Sequence, residues 1–180
     1  MKKLLTVTMG LVFLGLLVQG TAFAQRTMTG DRVLDSLLTR ITLQERSDPE
    51  GFILHLGRSQ RVPDEEIRQA RIRFGLNAGD TYMATVLSRI FKTSVGNVAE
   101  EFSKNPGRGW GIMALNRGIK PGSLEFKEMK ANARDSVANM KSMARAKIIK
   151  QNQELKRERK NSQKNGEKSQ GKGQGKGKKK

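Results

Sequence analysis

The chain offers few groups that could do acid–base or nucleophilic chemistry. It has no cysteine and a single histidine, His55, which lies between Leu54 and Leu56. One histidine cannot supply the paired imidazoles of a zinc-binding helix motif. No Gly-x-Ser-x-Gly segment is present to expose an activated serine. We therefore expect His55 to be a structural or surface residue.

Two acidic clusters could suggest a cation site, but helix chemistry explains the first of them better. Residues 64–66 (Asp-Glu-Glu) follow Pro63, at a helix start where the helix dipole favours negative charge. Glu100 and Glu101 lack the spaced carboxylate partners of a calcium-binding loop. We predict that the chain uses no metal and no cofactor, and that it is not an enzyme.

The most distinctive stretch surrounds the only tryptophan, Trp110, which lies between Gly109 and Gly111. Glycine on both sides permits a tight turn and lets another part of the chain approach the indole closely. We favour the interpretation that Trp110 fills the core at a helix start, over the alternative that it stacks on a ligand. No Lys-Ser/Thr pair follows these glycines, so they do not form a phosphate-binding loop.

A turn with a clear mechanism follows at residues 120–123 (Lys-Pro-Gly-Ser). Pro121 presets the backbone of the first central position, and Gly122 can adopt the left-handed conformation of the second. Ser123 is then placed to cap the next helix.

The Gly-Trp-Gly-x-Met-Ala pattern and the later Gly-Ile-Lys-Pro-Gly-Ser pattern resemble a repeated feature of small helical bacterial proteins. The proteins of this class are expected to be exported and are mostly uncharacterised. A helix-turn-helix-like piece precedes the feature, matched here by residues 86–102. The resemblance covers residues 83–130. It implies a helical fold, and it brings no activity and no site residues with it.

The elements that position these residues are predicted to be helices, because apolar residues recur at helical spacing along the body. The predicted helices begin near residues 31, 49, 63, 80, 95 and 112, and a last one begins after residue 123. No segment alternates strongly enough to predict a strand. We predict an all-α fold with one small multi-helix domain over residues 31–135.

The last helix is long and carries a weak apolar stripe. Its members are Phe126, Met129, Ala133, Val137, Met140, Ala144 and Ile148. The spacing repeats every 11 residues, which suits a straight or slightly right-handed packing. We favour a helix docked at its start and free beyond about Met140, over a helix-mediated oligomer. Residues 136–160 are predicted to be a basic helical extension.

The charge of the chain is concentrated at its C-terminal end. Residues 141–180 hold 15 Lys and Arg against 3 Asp and Glu, whereas residues 25–140 hold 18 against 14. Residues 161–180 contain no apolar side chain, so we predict a disordered Lys/Gly-rich tail. The predicted polyanion-binding residues are Lys164, Lys168, Lys172, Lys176, Lys178, Lys179 and Lys180. Flexible lysines bind polyanions without a geometric code and with strong salt dependence.

The N-terminal residues 1–24 predict a cleavable signal peptide. Lys2 and Lys3 precede an apolar run over residues 4–18, and Ala22 and Ala24 supply the small residues of a cleavage site. The run is shorter than the about 20 apolar residues that span a bilayer. The alternative is an uncleaved N-terminal anchor. We therefore expect a periplasmic or secreted protein, with residues 25–30 as a short linker.

Together these features predict an exported binding or scaffolding protein that contacts an anionic envelope component through its tail. The candidate partners are phospholipid headgroups, lipopolysaccharide, a wall polymer or extracellular DNA. A protein partner for the body and a tail that only aids solubility stay as alternatives, and the oligomeric state is left open. A second function is nucleic-acid binding through residues 86–102 and the tail, although a signal peptide argues against gene regulation in the cytoplasm.

Overall fold

A computed structural model of the chain describes residues 29–105 and 107–170, with side chains as far as residue 163. This part is all-α, as predicted, and no strand occurs in it. Its helices are α1 (Arg32–Glu45), α2 (Pro49–Gln60), α3 (Asp64–Phe74), α4 (Ala78–Phe91), α5 (Val95–Ser103), α6 (Gly109–Asn116) and α7 (Leu124–Gln170). The predicted signal peptide and residues 25–28 of the predicted linker lie outside the described residues.

Short polar side chains begin most of these helices. Each of them accepts a hydrogen bond from a backbone N–H three residues further on, and they are Asp31, Asp48, Asn77, Ser94 and Ser123. Such caps satisfy N–H groups that have no partner inside the helix. At the end of α3, Gly75 adopts the left-handed conformation with a φ of +62°. Gly75 therefore ends α3 without backbone strain.

Two helices begin earlier than the apolar pattern predicts. α4 starts at Ala78 rather than near Asp80, because the Asn77 side chain accepts the Asp80 N–H at 2.9 Å. α6 starts at Gly109 rather than at Ile112. In both cases the first turn contains glycine or a polar residue, so the apolar pattern begins later than the helix.

The core is built around α4, in which every residue from Ala78 to Ser88 is buried. The helices α1, α2, α3 and α5 pack against α4, and α7 lies along α1 and α2. A helix that is buried on all sides needs apolar or internally bonded residues around its whole circumference. Thr81, Thr85 and Ser88 meet this need, since each hydroxyl donates to a carbonyl three or four residues earlier in the chain.

The helix α7 has a docked part and a free part. Phe126, Met129, Ala133 and Met140 of its apolar stripe are buried, and every described side chain after Ala144 is exposed. The last polar link to the body is the ion pair from Lys147 to Asp48, with 3.2 Å between Nζ and Oδ1. The apolar docking of α7 thus ends near Met140, and one ion pair extends the contact to Lys147. No helix among the described residues is both long enough and apolar enough to cross a membrane.

The helix also continues past residue 161, where the sequence places the start of the tail. α7 ends at Gln170, and the stretch 161–170 contains one glycine, whereas four glycines follow in residues 171–180. Glycine lowers helix stability by about 1 kcal/mol per residue relative to alanine. The single glycine of 161–170 is compatible with a helix, so the tail that the sequence predicts from residue 161 is helical as far as Gln170. Residues 171–180 lie outside the described part of the chain.

Candidate functional site

Part of the charge on the body is paired within the described residues. The ion pairs among the described residues are Glu50–Arg68 at 2.6 Å, Glu45–Arg71 at 2.7 Å, Glu100–Lys104 at 2.7 Å, Asp31–Lys130 at 3.0 Å, Asp48–Lys147 at 3.2 Å and Glu101–Arg117. Exposed pairs of this kind add little stability, about 0–1 kcal/mol each. The net charge of the body is low because residues 25–140 hold nearly equal numbers of basic and acidic residues, 18 against 14.

Two lysines of α7 fix that helix to the caps of other helices. Lys130 binds Asp31, the cap of α1, and Lys147 binds Asp48, the cap of α2. Burial pushes the pKa of Asp31 upward, but hydrogen bonds from the Leu34 N–H and from Lys130 outweigh this and leave the pKa below its usual range. The ionised carboxylate therefore stays available to both partners, and α7 leaves the body from a fixed point.

The part of α7 that follows Lys147, residues 148–170, is here called the α7 arm. At 1.5 Å per residue it projects about 35 Å from the body. Its basic side chains among the described residues are all exposed, and they are Lys150, Lys156, Arg157, Arg159 and Lys160. At 3.6 residues per turn these five positions fall within one half of the helix circumference, whereas Glu154 and Glu158 fall in the other half.

The structure covers the predicted polyanion-binding lysines only in part. Positions 164 and 168 lie on the α7 backbone, and by helical register they continue the basic half of the arm. The predicted lysines from Lys172 to Lys180 lie outside the described residues. The five basic residues of the arm that precede residue 161 were not among the predicted site residues. The sequence could have indicated them, because the large excess of basic over acidic residues begins at residue 141 and not at residue 161.

Trp110 lies in the core, as the favoured interpretation predicts. Its side chain has 0 % exposure, and its Nε1 donates a hydrogen bond of 2.7 Å to Oδ1 of Asp80 on α4. Its ring stacks in parallel on Phe102 of α5, with 3.8 Å between the ring centroids. Trp110 thus joins α4, α5 and α6 at one point.

The two glycines beside Trp110 each have a structural reason. Gly109 has a φ of +70°, in the left-handed region that glycine adopts without strain. A Cβ on Gly111 would lie 1.9 Å from the carbonyl oxygen of Thr29. Thr29 is itself held at α1, because its N–H and its hydroxyl each donate to Asp35 Oδ1 at 2.7 Å. Glycine therefore lets the start of the domain pass directly over α6.

We expect Gly111→Ala to lower the free energy of unfolding by about 1–3 kcal/mol, because the added methyl forces the backbone at Thr29 to move. Urea denaturation of the purified protein measures this change. Gly96→Ala in α5 is the matched control, since the atom nearest to its added Cβ lies 3.8 Å away. The control should be neutral or slightly stabilising. Equal stability of Gly111→Ala and the unchanged protein would contradict the close approach.

The predicted turn at residues 120–123 is confirmed. The Ser123 N–H donates to the Lys120 carbonyl at 3.0 Å, and Gly122 has a φ of +86°. The Ser123 hydroxyl accepts the N–H of Phe126 at 3.2 Å and so caps α7. The turn sets the direction in which α7 leaves α6.

An open apolar groove lies between α6, the start of α7 and residues 29–31, and we call it the α6–α7 groove. Its volume is about 440 Å³. Met83, Trp110 and Met129, each at most 1 % exposed, also line it. Sequence reasoning missed this groove, because its lining combines residues 29–31 and Met83 with residues 107–129, and these three parts are far apart in the chain.

His55 lies half-buried on α2, and its Nε2 makes no hydrogen bond within the described part of the chain. Burial lowers the pKa of His55, because the charged imidazolium loses solvation there. Among the described residues, no group of three His, Asp or Glu side chains is arranged to hold a metal ion. The arrangement at His55 offers neither a nucleophile nor a metal site.

The lowered pKa predicts a loss of stability in mild acid. Below about pH 6.5 the unfolded chain binds a proton at His55 that the folded protein resists, so the free energy of unfolding falls as the pH drops. Urea midpoints at pH 7.5 and pH 5.5 should show this fall in the unchanged protein. His55→Leu should flatten the dependence in this interval. An unchanged slope in that variant would assign the pH effect to other groups.

Compared with known proteins, the chain matches no protein-family model, no curated protein and no solved structure.

Proposed function

We propose that this is an exported, non-enzymatic binding or scaffolding protein whose α7 arm contacts an anionic component of the cell envelope. One observation carries the proposal: a helix with a large excess of basic residues projects from a body of low net charge. Within the described residues, no basic side chain after Lys147 has a carboxylate partner within ion-pair distance. The positive charge of the arm is therefore available to another molecule.

A rigid basic rod suits an extended anionic surface better than a small ligand. Each lysine or arginine close to an anionic membrane contributes about 1 kcal/mol of attraction. The attraction falls off over a Debye length of about 8 Å at physiological salt. Because the basic residues from Lys150 to Lys160 lie in one half of the arm, that half can lie along a surface while Glu154 and Glu158 face away from it.

The nucleic-acid alternative receives less support from the body. The helix-turn-helix-like residues 86–102 correspond to the second half of α4 and most of α5. In a DNA-binding motif of this kind the second helix enters the major groove. α5 contains no lysine or arginine, and it carries Glu100 and Glu101, which phosphate would repel. The helix that would enter the major groove therefore brings no positive charge to DNA.

Co-sedimentation with vesicles tests the proposal. The chain from Gln25 onward is mixed with vesicles of anionic phospholipid or of neutral phospholipid over a series of salt concentrations, and duplex DNA is tested in parallel. We expect binding to anionic vesicles that weakens with salt yet persists near 0.15 M, and no binding to neutral vesicles. A variant without residues 161–180 should bind more weakly. The envelope proposal would be contradicted if binding to anionic vesicles were already lost at salt concentrations lower than about 0.15 M. It would also be contradicted if the protein bound duplex DNA much more tightly than anionic vesicles.

Export has its own test. Mass spectrometry of the protein recovered from cells should give an N-terminus at Gln25, as the cleavage site predicts. A retained Met1 would favour the anchored alternative or a protein of the cell interior, and the nucleic-acid function would gain support.

A further inference from the structure

We propose that the α6–α7 groove binds the apolar chain of an anionic amphiphile, a fatty-acid anion being the defining case. This site lies on the folded domain and is separate from the α7 arm. The inference therefore goes beyond the proposed contact with an envelope surface, and each of the two can fail without the other.

The size and lining of the groove are those of a ligand site. Its volume of about 440 Å³ falls within the about 300–1,000 Å³ that small-molecule pockets have. Behind its exposed apolar wall lie Met83, Trp110 and Met129, each at most 1 % exposed. Methionine adapts its shape to irregular apolar groups. This lining suits a flexible hydrocarbon chain.

The wall on α6 remains uncovered in the folded domain. Ile112 and Leu115, three positions apart on that helix, are each 48 % exposed and line the groove. α6 packs chiefly on α5, whereas α7 packs on α1 and α2, so the two walls of the groove belong to different parts of the bundle. Burying two large aliphatic side chains under a ligand would stabilise the complex by the hydrophobic effect.

The charges around the groove select an anionic headgroup. Two charged residues line it, Asp31 and Arg108. The Asp31 carboxylate is bound to Lys130 at 3.0 Å, which offsets its charge. Arg108 is exposed and forms no ion pair within the described residues. Lys130 also lies over the ring of Phe126, 5.0 Å from its centroid, at the same wall. The uncompensated charge at the groove is therefore positive.

Trp110 provides a local signal for a binding test, since it is the only tryptophan and it lines the groove. The chain from Gln25 onward is titrated with dodecanoate below its micelle concentration, and the tryptophan emission is recorded. We expect a saturable change with a stoichiometry of one. Dodecanol and dodecyltrimethylammonium have the same chain length without the negative charge, and both should bind at least about threefold more weakly.

Matched variants locate the site. Leu115→Glu should weaken dodecanoate binding at least about tenfold, because it places a carboxylate in the apolar wall. Leu43→Glu is its control, at a helix position that is 56 % exposed and away from the groove. Arg108→Gln should weaken binding about threefold to fivefold, whereas Arg46→Gln should leave it unchanged.

Several outcomes would overturn the proposal. One is the absence of a saturable signal with dodecanoate, and another is an equal effect of Leu115→Glu and Leu43→Glu. Binding that appears only when the chain begins at Thr29 would show that residues 25–28 occupy the groove instead. A dimer that Leu115→Glu separates, measured by sedimentation, would show that a second copy occupies it. If dodecyltrimethylammonium bound as tightly as dodecanoate, Arg108 would not select an anionic headgroup.

Discussion

Replacing Trp110 by alanine is expected to lower the free energy of unfolding by about 3–5 kcal/mol, the usual cost of removing a large buried aromatic side chain. The indole is fully buried, stacks on Phe102 and donates to Asp80. Its removal therefore takes away apolar contacts with α5 and a hydrogen bond to α4 in one step. For a domain of this size, such a loss is a large part of the total stability. Urea or thermal denaturation followed by circular dichroism measures it.

Two further variants separate the contributions of Trp110. Trp110→Phe keeps an aromatic ring beside Phe102 but removes the Nε1 donor to the buried Asp80, and it should cost about 1–3 kcal/mol. Leu43→Ala at an exposed helix position should change stability by less than about 0.5 kcal/mol. If Trp110→Ala were as mild as Leu43→Ala, the indole would not be part of a packed core.

The helix boundaries were predictable where local chemistry sets them. Asp48 caps α2, Gly75 ends α3 and Ser123 caps α7, and each of these roles depends only on residues within one helical turn. The start of α6 was placed too late, because Gly109 and Gly111 weaken the apolar pattern there. The reason for Gly111 lies outside the helix, in the backbone of Thr29.

The burial of Trp110 was predictable from its neighbours, but its partners were not. Asp80 and Phe102 meet the indole only because α4, α5 and α6 pack together. The α6–α7 groove was not predictable for the same reason, since it forms only when separate parts of the chain pack together. Its lining combines residues near Thr29, Met83, Trp110 and Phe126, and no local pattern links these segments.

The free part of α7 was predictable because its apolar stripe fades. After Met140 the stripe positions hold Ala144 and Ile148, and these contribute too little apolar surface to dock the helix. The sequence did not show where along α7 the ion pairs with the body end. Lys147 still reaches Asp48, and the basic side chains described beyond it reach no carboxylate. Lys147 therefore makes the last ion pair that holds the described part of α7 to the body.

Neutralising the arm should have the largest effect on binding to anionic vesicles. The variant changes five exposed residues to glutamine, namely Lys150, Lys156, Arg157, Arg159 and Lys160. We expect its affinity for anionic vesicles at low salt to fall at least about a hundredfold, since each residue near the surface contributes about 1 kcal/mol. Because glutamine has a helix propensity close to that of lysine and arginine, the helix itself should be retained. Co-sedimentation over a salt series measures the loss, and circular dichroism checks the helix.

The control for this experiment removes the same charge from the body. Arg40, Arg46, Arg58, Lys120 and Lys127 are exposed and outside the ion pairs of the described residues, and changing all five to glutamine lowers the net charge equally. If attraction depended on net charge alone, the two variants would bind alike. If the arm is the contact, the body variant should stay within a fewfold of the unchanged protein. The difference between the two variants therefore tests whether the position of the charge, beyond its amount, determines binding.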